Sequence, residues 1–122
     1  MAFYADIYGY IAIKKGRHIQ NEIIEQISKN NQIFKPCLSQ AIEGKSSSYI
    51  SFACSVKIDE GEDNIWLTPF EELLKLMDFL NATVNIVHEE SGSIMMYTYI
   101  MNEGIKKISS TLVEKFIEEI SI

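Results

Sequence analysis

One segment constrains the fold of this 122-residue chain more than any other, because apolar residues occupy every second position between residues 50 and 58. Serine, alanine and lysine stand between them. A period of two places the apolar side chains on one face of a β-strand and the others on the opposite face. The pattern therefore predicts a half-buried strand in a sheet that covers a core. Its apolar face consists of Ile50, Phe52, Cys54, Val56 and Ile58.

Other segments supply partners for this strand. Residues 4–13 are largely apolar on both faces, which is typical of a central strand covered on both sides. Residues 83–88 and 93–101 are separated by Glu-Glu-Ser-Gly, the spacing of a tight antiparallel hairpin. A shorter strand over residues 37–43 is predicted to form a hairpin with the strand at residues 50–58.

Three segments have apolar residues at the spacing of an α-helix. The first contains Ile19 and Ile27 and ends before Pro36. The second is predicted to begin at Thr68-Pro69-Phe70-Glu71, because threonine caps a helix, proline suits the first helical position and glutamate completes a capping box. The third begins near Ser110 or Thr111 and continues towards the end of the chain.

The predicted order is strand, helix, two strands, helix, two strands, helix. Apolar residues make up 47% of the chain and charged residues 23%, which is typical of one globular domain over residues 1–122. The crossover through the first helix permits one parallel neighbour in the sheet, whereas the hairpins require antiparallel neighbours. We therefore predict an α+β fold with a mixed, mainly antiparallel sheet of roughly four to five strands, packed by two or three helices.

The formal net charge is -6, and the acidic residues are concentrated after residue 58. Up to that residue seven basic residues oppose four acidic ones, and beyond it four basic residues oppose thirteen acidic ones. Nucleic acids and anionic membranes attract basic surfaces, so we expect neither as a partner. The chain has no run of about twenty apolar residues and no signal-peptide pattern at its start. We therefore expect a cytoplasmic protein.

The sequence motifs of catalysis and cofactor binding are incomplete. His88-Glu89-Glu90-Ser91-Gly92 begins like the helix of a zinc protease but has glycine where the second histidine must stand. Gly44-Lys45-Ser46 resembles the end of a phosphate-binding loop, yet Ser39 occupies the place of the first glycine of that loop. The Gly-x-Ser-x-Gly elbow of α/β-hydrolases is absent. We therefore predict no catalytic residue, no metal ligand and no cofactor, and we expect that the chain is not an enzyme. No motif places it in a family.

Residues 59–64, Asp-Glu-Gly-Glu-Asp-Asn, concentrate the acidic charge. They do not form a calcium loop, because no glutamate stands at the twelfth position. Two interpretations stay open, a solvated turn and an electrostatic surface for a basic partner. Trp66 is either an anchor of the core or part of an interface. The candidate partner-binding residues are Asp59, Glu60, Glu62, Asp63, Trp66, Glu89 and Glu90.

These features favour a small acidic protein that binds another protein. The leading hypothesis is an immunity protein that neutralises a basic nuclease toxin, or a phage-type inhibitor, by occluding a cleft built for phosphates. A second hypothesis is a homodimeric structural or assembly module that closes its sheet through Met95, Tyr97, Tyr99 and Met101. A third is a small-molecule sensor or enzyme with a pocket between helices and sheet.

Overall fold

The computed structural model describes residues 3–14, 42–43 and 47–111. These residues form one six-stranded sheet and one α-helix. The strands are β1 (Tyr4–Lys14), β2 (Ile42–Glu43), β3 (Ser47–Lys57), β4 (Phe79–His88), β5 (Ile94–Met101) and β6 (Ile105–Thr111), and the helix is α1 (Asn64–Lys75). The strand order across the sheet is β2-β3-β1-β4-β5-β6, and each neighbouring pair is antiparallel.

Strand β1 lies inside the sheet, between β3 and β4. Ile7 is paired with Cys54 of β3 on one side and with Ile86 of β4 on the other. On the opposite face of β1, the side chains of Tyr8 and Tyr10 are 45% and 39% exposed. The predicted central position of this strand is therefore confirmed. The prediction that both faces are buried is wrong at these two tyrosines. Their side chains stay partly exposed because a phenol ring can keep its polar end in water. The buried face of β1 carries Ala5, Ile7, Ile11 and Ile13.

Gly9 allows β1 and β4 to approach each other closely. A Cβ atom built on Gly9 would lie 1.9 Å from the carbonyl oxygen of Thr83 and 3.0 Å from the ring of Phe52. A side chain at this position would have to move the backbone of β4, because the nearest atom belongs to that backbone. Space, rather than an unusual backbone angle, therefore restricts this position to glycine.

Helix α1 packs an apolar stripe against the buried face of the sheet. The rings of Trp66 and Phe70 are stacked, with centroids 5.0 Å apart. The ring centroid of Phe52 of β3 lies 5.4 Å from that of Trp66. Phe70 also contacts Tyr99 of β5, at 5.8 Å. Aromatic pairs at these distances stabilise a core beyond the area that they bury. The buried residues of the helix are Trp66, Leu67, Phe70, Leu73 and Leu74.

Helix α1 begins one turn before the predicted start at Thr68, so that Pro69 lies inside the helix. A proline in a helix interior costs about 3 kcal/mol, because it removes a hydrogen bond and its ring clashes with the preceding turn. Trp66 and Leu67 precede the predicted start, and both are buried. Burial of each large apolar side chain contributes about 1.5–3 kcal/mol. Burial of the two side chains therefore offsets the free-energy cost of Pro69 inside the helix. The capping pattern alone did not reveal this balance.

The predicted mixed sheet packed by two or three helices is wrong. Both neighbours of β1 run antiparallel to it, so the parallel neighbour expected from a helical crossover is missing from the described sheet. Among the described residues, α1 is the single helix. Ser110 and Thr111, the predicted start of the last helix, belong to β6. The described residues form mainly an antiparallel sheet with one short helix.

Several predicted elements are confirmed within a few residues. The alternating strand is β3, and the predicted hairpin is formed by β4 and β5. The short strand predicted at residues 37–43 is described only at Ile42–Glu43, where it pairs with β3. The first predicted helix lies outside the described residues, as does most of the last one. No helix in the described part of the chain is long and apolar enough to cross a membrane.

Candidate functional site

The acidic loop that follows β3 and the turn between β4 and β5 lie against each other. Oε1 of Glu60 accepts hydrogen bonds from the hydroxyl groups of Ser91 and Ser93, each 2.7 Å long. These bonds stabilise the ionised carboxylate and hold the pKa of Glu60 below its ordinary value of 4.5. Glu60 and Ser91 are 31 positions apart in the sequence. The hydrogen bonds therefore join two distant chain segments into one surface.

The start of β1 fixes the position of this turn. The backbone N–H of Tyr4 donates to Oε2 of Glu89 at 3.0 Å, and the N–H of Glu89 donates to the carbonyl of Tyr4 at 3.0 Å. The turn is closed by Gly92, whose N–H donates to the carbonyl of His88 at 2.8 Å. Gly92 has a φ of 70°, a left-handed conformation that glycine adopts without strain. Glu89 is thus held in place by backbone groups of a different strand.

Five exposed carboxylates belong to this surface, which we call the acidic face: Asp59, Glu60, Glu62, Glu89 and Glu90. Lys57 lies at its margin, where its Nζ is 5.5 Å from the centroid of the Tyr4 ring. Exposed carboxylates that are grouped on one surface create a negative potential around it. The acidic face is therefore suited to attract a positively charged partner.

A buried hydrogen-bonded network behind the acidic face ties α1 to the sheet. Asp63 precedes α1 as its N-cap residue but makes no side-chain cap hydrogen bond. Its Oδ1 lies 2.7 Å from Nε2 of His88, and its Oδ2 accepts a hydrogen bond of 2.5 Å from the hydroxyl of Tyr97. Burial, together with this hydrogen bond, raises the pKa of Tyr97 well above its ordinary value of 10.0. Both carboxylate oxygens of Asp63 are thus used inside the protein.

A cavity of about 190 Å³ opens between the acidic loop and this network. It is smaller than the pockets that usually hold a whole small molecule, and its size suits a single side chain. Two carboxylates in its wall favour a cationic group. The polar residues that line it are Glu60, Asp63, Asn64, His88, Ser93 and Tyr97.

The seven predicted partner-binding residues divide into two groups. Five of them form the acidic face, and the structure brings the two predicted acidic segments together. The other two, Asp63 and Trp66, are buried, with 7% and 1% of their surface exposed. Of the two interpretations of Trp66, the structure shows an anchor of the core, stacked on Phe70. Of the seven residues, the five carboxylates are therefore the ones exposed at the described surface.

The network of Asp63, His88 and Tyr97 was missed by sequence reasoning. Asp63 is 25 positions from His88 and 34 from Tyr97, and no local pattern connects such distant residues. One weak signal exists, because the period of two in β4 places His88 on the same face as the buried Val84 and Ile86. A polar side chain on a buried strand face needs a hydrogen-bond partner, which indicates a network without naming its members.

Within the described residues, no group of three or more His, Cys, Asp and Glu side chains is arranged to hold a metal ion. Comparison with models of protein families finds no match. Comparisons with curated proteins and with solved structures find none either.

Proposed function

We propose that this chain is a small binding protein that neutralises a basic protein through its acidic face. One observation carries the proposal, namely that Glu60 binds both Ser91 and Ser93 and so assembles carboxylates from two chain segments on one surface. The partner is a nuclease, and the chain is its immunity protein or a phage-type inhibitor. It acts in the cytoplasm and catalyses no reaction itself.

Inhibition follows from charge and position. A nuclease cleft binds phosphates with lysine and arginine side chains, and carboxylates form charge-assisted hydrogen bonds with the same groups. Because backbone hydrogen bonds hold Glu89 and serine hydroxyls hold Glu60, little freedom is lost on binding. The negative potential mainly raises the rate of association, and this effect weakens with ionic strength. The cavity beside Glu60 receives one lysine or arginine side chain of the partner.

The test compares two variants that lose the same number and types of charge. The test variant neutralises the acidic face without touching Glu60 or Glu89, which hold the loop and the turn. The control variant neutralises exposed carboxylates elsewhere on the described surface. The test variant carries Asp59→Asn, Glu62→Gln and Glu90→Gln, and the control variant carries Asp78→Asn, Glu72→Gln and Glu103→Gln.

The probe is the purified product of a neighbouring nuclease gene, because an immunity protein must be inherited together with its toxin. The measurement is cleavage of a nucleic-acid substrate with increasing amounts of each variant. We expect the wild-type chain to inhibit, the test variant to inhibit at least about tenfold less well, and the control variant to match the wild type. Absence of inhibition by the wild type, or equal loss in both variants, refutes the proposal.

Self-assembly is a second candidate function, favoured by the exposed aromatic residues on the other face of the sheet. Tyr10 and Tyr49 are exposed and meet edge to face, with centroids 6.2 Å apart. The sequence predicted a dimer contact through Tyr97 and Tyr99, but both side chains are buried. A second copy would therefore contact the opposite face of the sheet, where Ile100 is exposed. Sedimentation velocity at several protein concentrations tests this function, because a dimer sediments faster than a monomer. A persistent monomer at the highest concentration contradicts it.

A further inference from the structure

A second cavity, of about 370 Å³, opens between α1 and the strands β5 and β6. Its volume lies within the range of small-molecule binding sites. It adjoins the middle and the end of the helix, whereas the acidic face adjoins the loop before the helix. The two sites are therefore separate. The cavity is lined by Thr68, Glu71, Glu72, Lys75, Tyr99, Ile105 and Lys107.

The hydroxyl group of Tyr99 is the unusual feature of this cavity. The Tyr99 side chain is fully buried, and its hydroxyl has no hydrogen-bond partner among the residues that the structure describes. Buried hydroxyl groups in proteins are almost always hydrogen-bonded, as the neighbouring Tyr97 is to Asp63. Tyr99 lines the cavity, and a ligand that moves the groups covering this hydroxyl can supply the missing acceptor.

The protonation state of Tyr99 suits the role of a donor. Burial raises the pKa of this phenol well above its ordinary value of 10.0, and the negative charge of Glu71 and the neighbouring Tyr97 raise it further. The hydroxyl therefore keeps its proton at neutral pH and can donate it in a hydrogen bond. A ligand group that meets this hydroxyl must be an acceptor, such as a carboxylate oxygen.

Two opposite charges stand beside this hydroxyl. Nζ of Lys107 lies 3.2 Å from Oε1 of Glu71, and both side chains are 30% exposed. The same Nζ lies above the rings of Tyr97 and Tyr99, at 5.2 and 5.8 Å from their centroids. The aromatic rings and the carboxylate thus hold the ammonium group over the tyrosines. The cavity wall offers a cation, an anion and a neutral donor within one small area.

This arrangement discriminates among classes of ligand. A simple anion that approached Lys107 would also meet the negative charge of Glu71, and a simple cation that approached Glu71 would meet Lys107. Like charges brought together at short distance repel each other and suppress binding. A molecule that carries both an ammonium and a carboxylate group can satisfy both residues at once.

We propose that this cavity binds a small zwitterion of the α-amino-acid class. The carboxylate of the ligand accepts hydrogen bonds from the Tyr99 hydroxyl and from Nζ of Lys107, and its ammonium group pairs with the carboxylate of Glu71. The side chain of the ligand lies along Ile105 and the exposed side of α1. Binding is non-covalent and does not involve the acidic face.

Isothermal titration calorimetry with three matched probes tests the class of ligand. The first probe is an amino acid, taken from a panel with apolar and polar side chains. The second is the matching amine, which lacks the carboxylate, and the third is the matching acid, which lacks the ammonium group. We expect at least one amino acid to bind, and its two single-charge analogues to bind at least about tenfold more weakly. If no amino acid binds at millimolar concentration, or if one analogue binds as well, the proposal is overturned.

Two variants locate the binding site. Tyr99→Phe removes the donor and should weaken binding of the amino acid about tenfold, the equivalent of one lost hydrogen bond. The same variant should leave the Tm of the ligand-free protein unchanged or higher, because it removes an unpartnered buried hydroxyl. Tyr8→Phe makes the same chemical change on an exposed tyrosine and should leave the affinity unchanged. Equal affinity of the wild type and the Tyr99→Phe variant contradicts the assignment.

Discussion

Substitution of Asp63 by alanine tests whether the buried network holds α1 to the sheet. Alanine removes both acceptor oxygens and leaves the Tyr97 hydroxyl and the His88 ring without their partner. His88 and Tyr97 are only 3% and 8% exposed, so water from the adjoining cavity replaces the lost bonds only in part. Because Asp63 makes no side-chain cap hydrogen bond, the loss of a helix cap is not mixed into the effect.

The expected magnitude follows from the number of groups left unpaired. Each buried polar group that loses its partner costs about 1–3 kcal/mol. Asp63→Ala leaves two such groups, so the free energy of unfolding should fall by about 2–6 kcal/mol. Small domains are stable by about 5–15 kcal/mol. The substitution is therefore expected to remove a large part of the stability without always unfolding the protein.

Urea denaturation followed by the fluorescence of Trp66 measures this loss, since the indole is buried next to the network in the folded state. Asp59→Ala is the matched control, because it removes an exposed carboxylate from the same loop. We expect the control to change the free energy of unfolding by less than about 0.5 kcal/mol. Addition of Tyr97→Phe to the Asp63→Ala variant should restore part of the stability, because it removes one of the two unpaired groups.

Two results would refute this reasoning. The first is a loss below about 1 kcal/mol for Asp63→Ala, which would show that water or a rearranged loop satisfies the two groups. The second is strict additivity of Asp63→Ala and Tyr97→Phe, because residues that share a hydrogen bond must couple. Either result would mean that apolar packing alone holds α1 in place.

Three further predictions concern separate parts of the molecule. Gly9→Ala should lower the free energy of unfolding by about 3 kcal/mol or more, because the added Cβ would meet the carbonyl of Thr83. Urea denaturation measures this change, and a neutral effect would contradict the close approach of β1 and β4. Unfolded tyrosines ionise near pH 10, whereas Tyr97 and Tyr99 resist ionisation when folded. The contribution of these two tyrosines to stability should therefore be constant below about pH 10 and fall above it. Circular dichroism should show a shallower fall for the double Phe variant, and an identical fall would refute the cause. Glu60→Gln should speed amide exchange in residues 89–93, and unchanged exchange would contradict the link between loop and turn. The wild type should lose stability as the pH falls through the lowered pKa of Glu60, and the variant should lose less.

The parts of the fold that depend on local patterns were predicted from the sequence. The alternation in β3 and the spacing of the β4–β5 hairpin gave both elements within a few residues. Strand β6 was missed because its sequence, Ile-Lys-Lys-Ile-Ser-Ser-Thr, has neither a clear alternation nor a buried face. It is a strand because the backbone of β5 offers it a hydrogen-bonding edge. Tertiary pairing of this kind overrides local propensity.

The candidate site was predicted only in outline. The concentration of acidic residues after Ile58 is visible in the sequence, and so is the second acidic pair at Glu89 and Glu90. Their contact through Glu60 and Ser91 depends on the register of the sheet, which one sequence does not determine. The same limit applies to the unpaired hydroxyl of Tyr99, whose surroundings come from the helix and from β6.

Strand β1 precedes both of its neighbours in the sheet, β3 and β4, along the chain. Ile7 pairs with Cys54 on one side and with Ile86 on the other. Both edges of β1 are therefore paired only after β4 has left the ribosome. Until then an apolar strand edge stays open, and such edges pair readily with other chains. We therefore expect chains halted before residue 79 to aggregate more readily than chains extended beyond Thr111, in which β5 also covers the outer edge of β4.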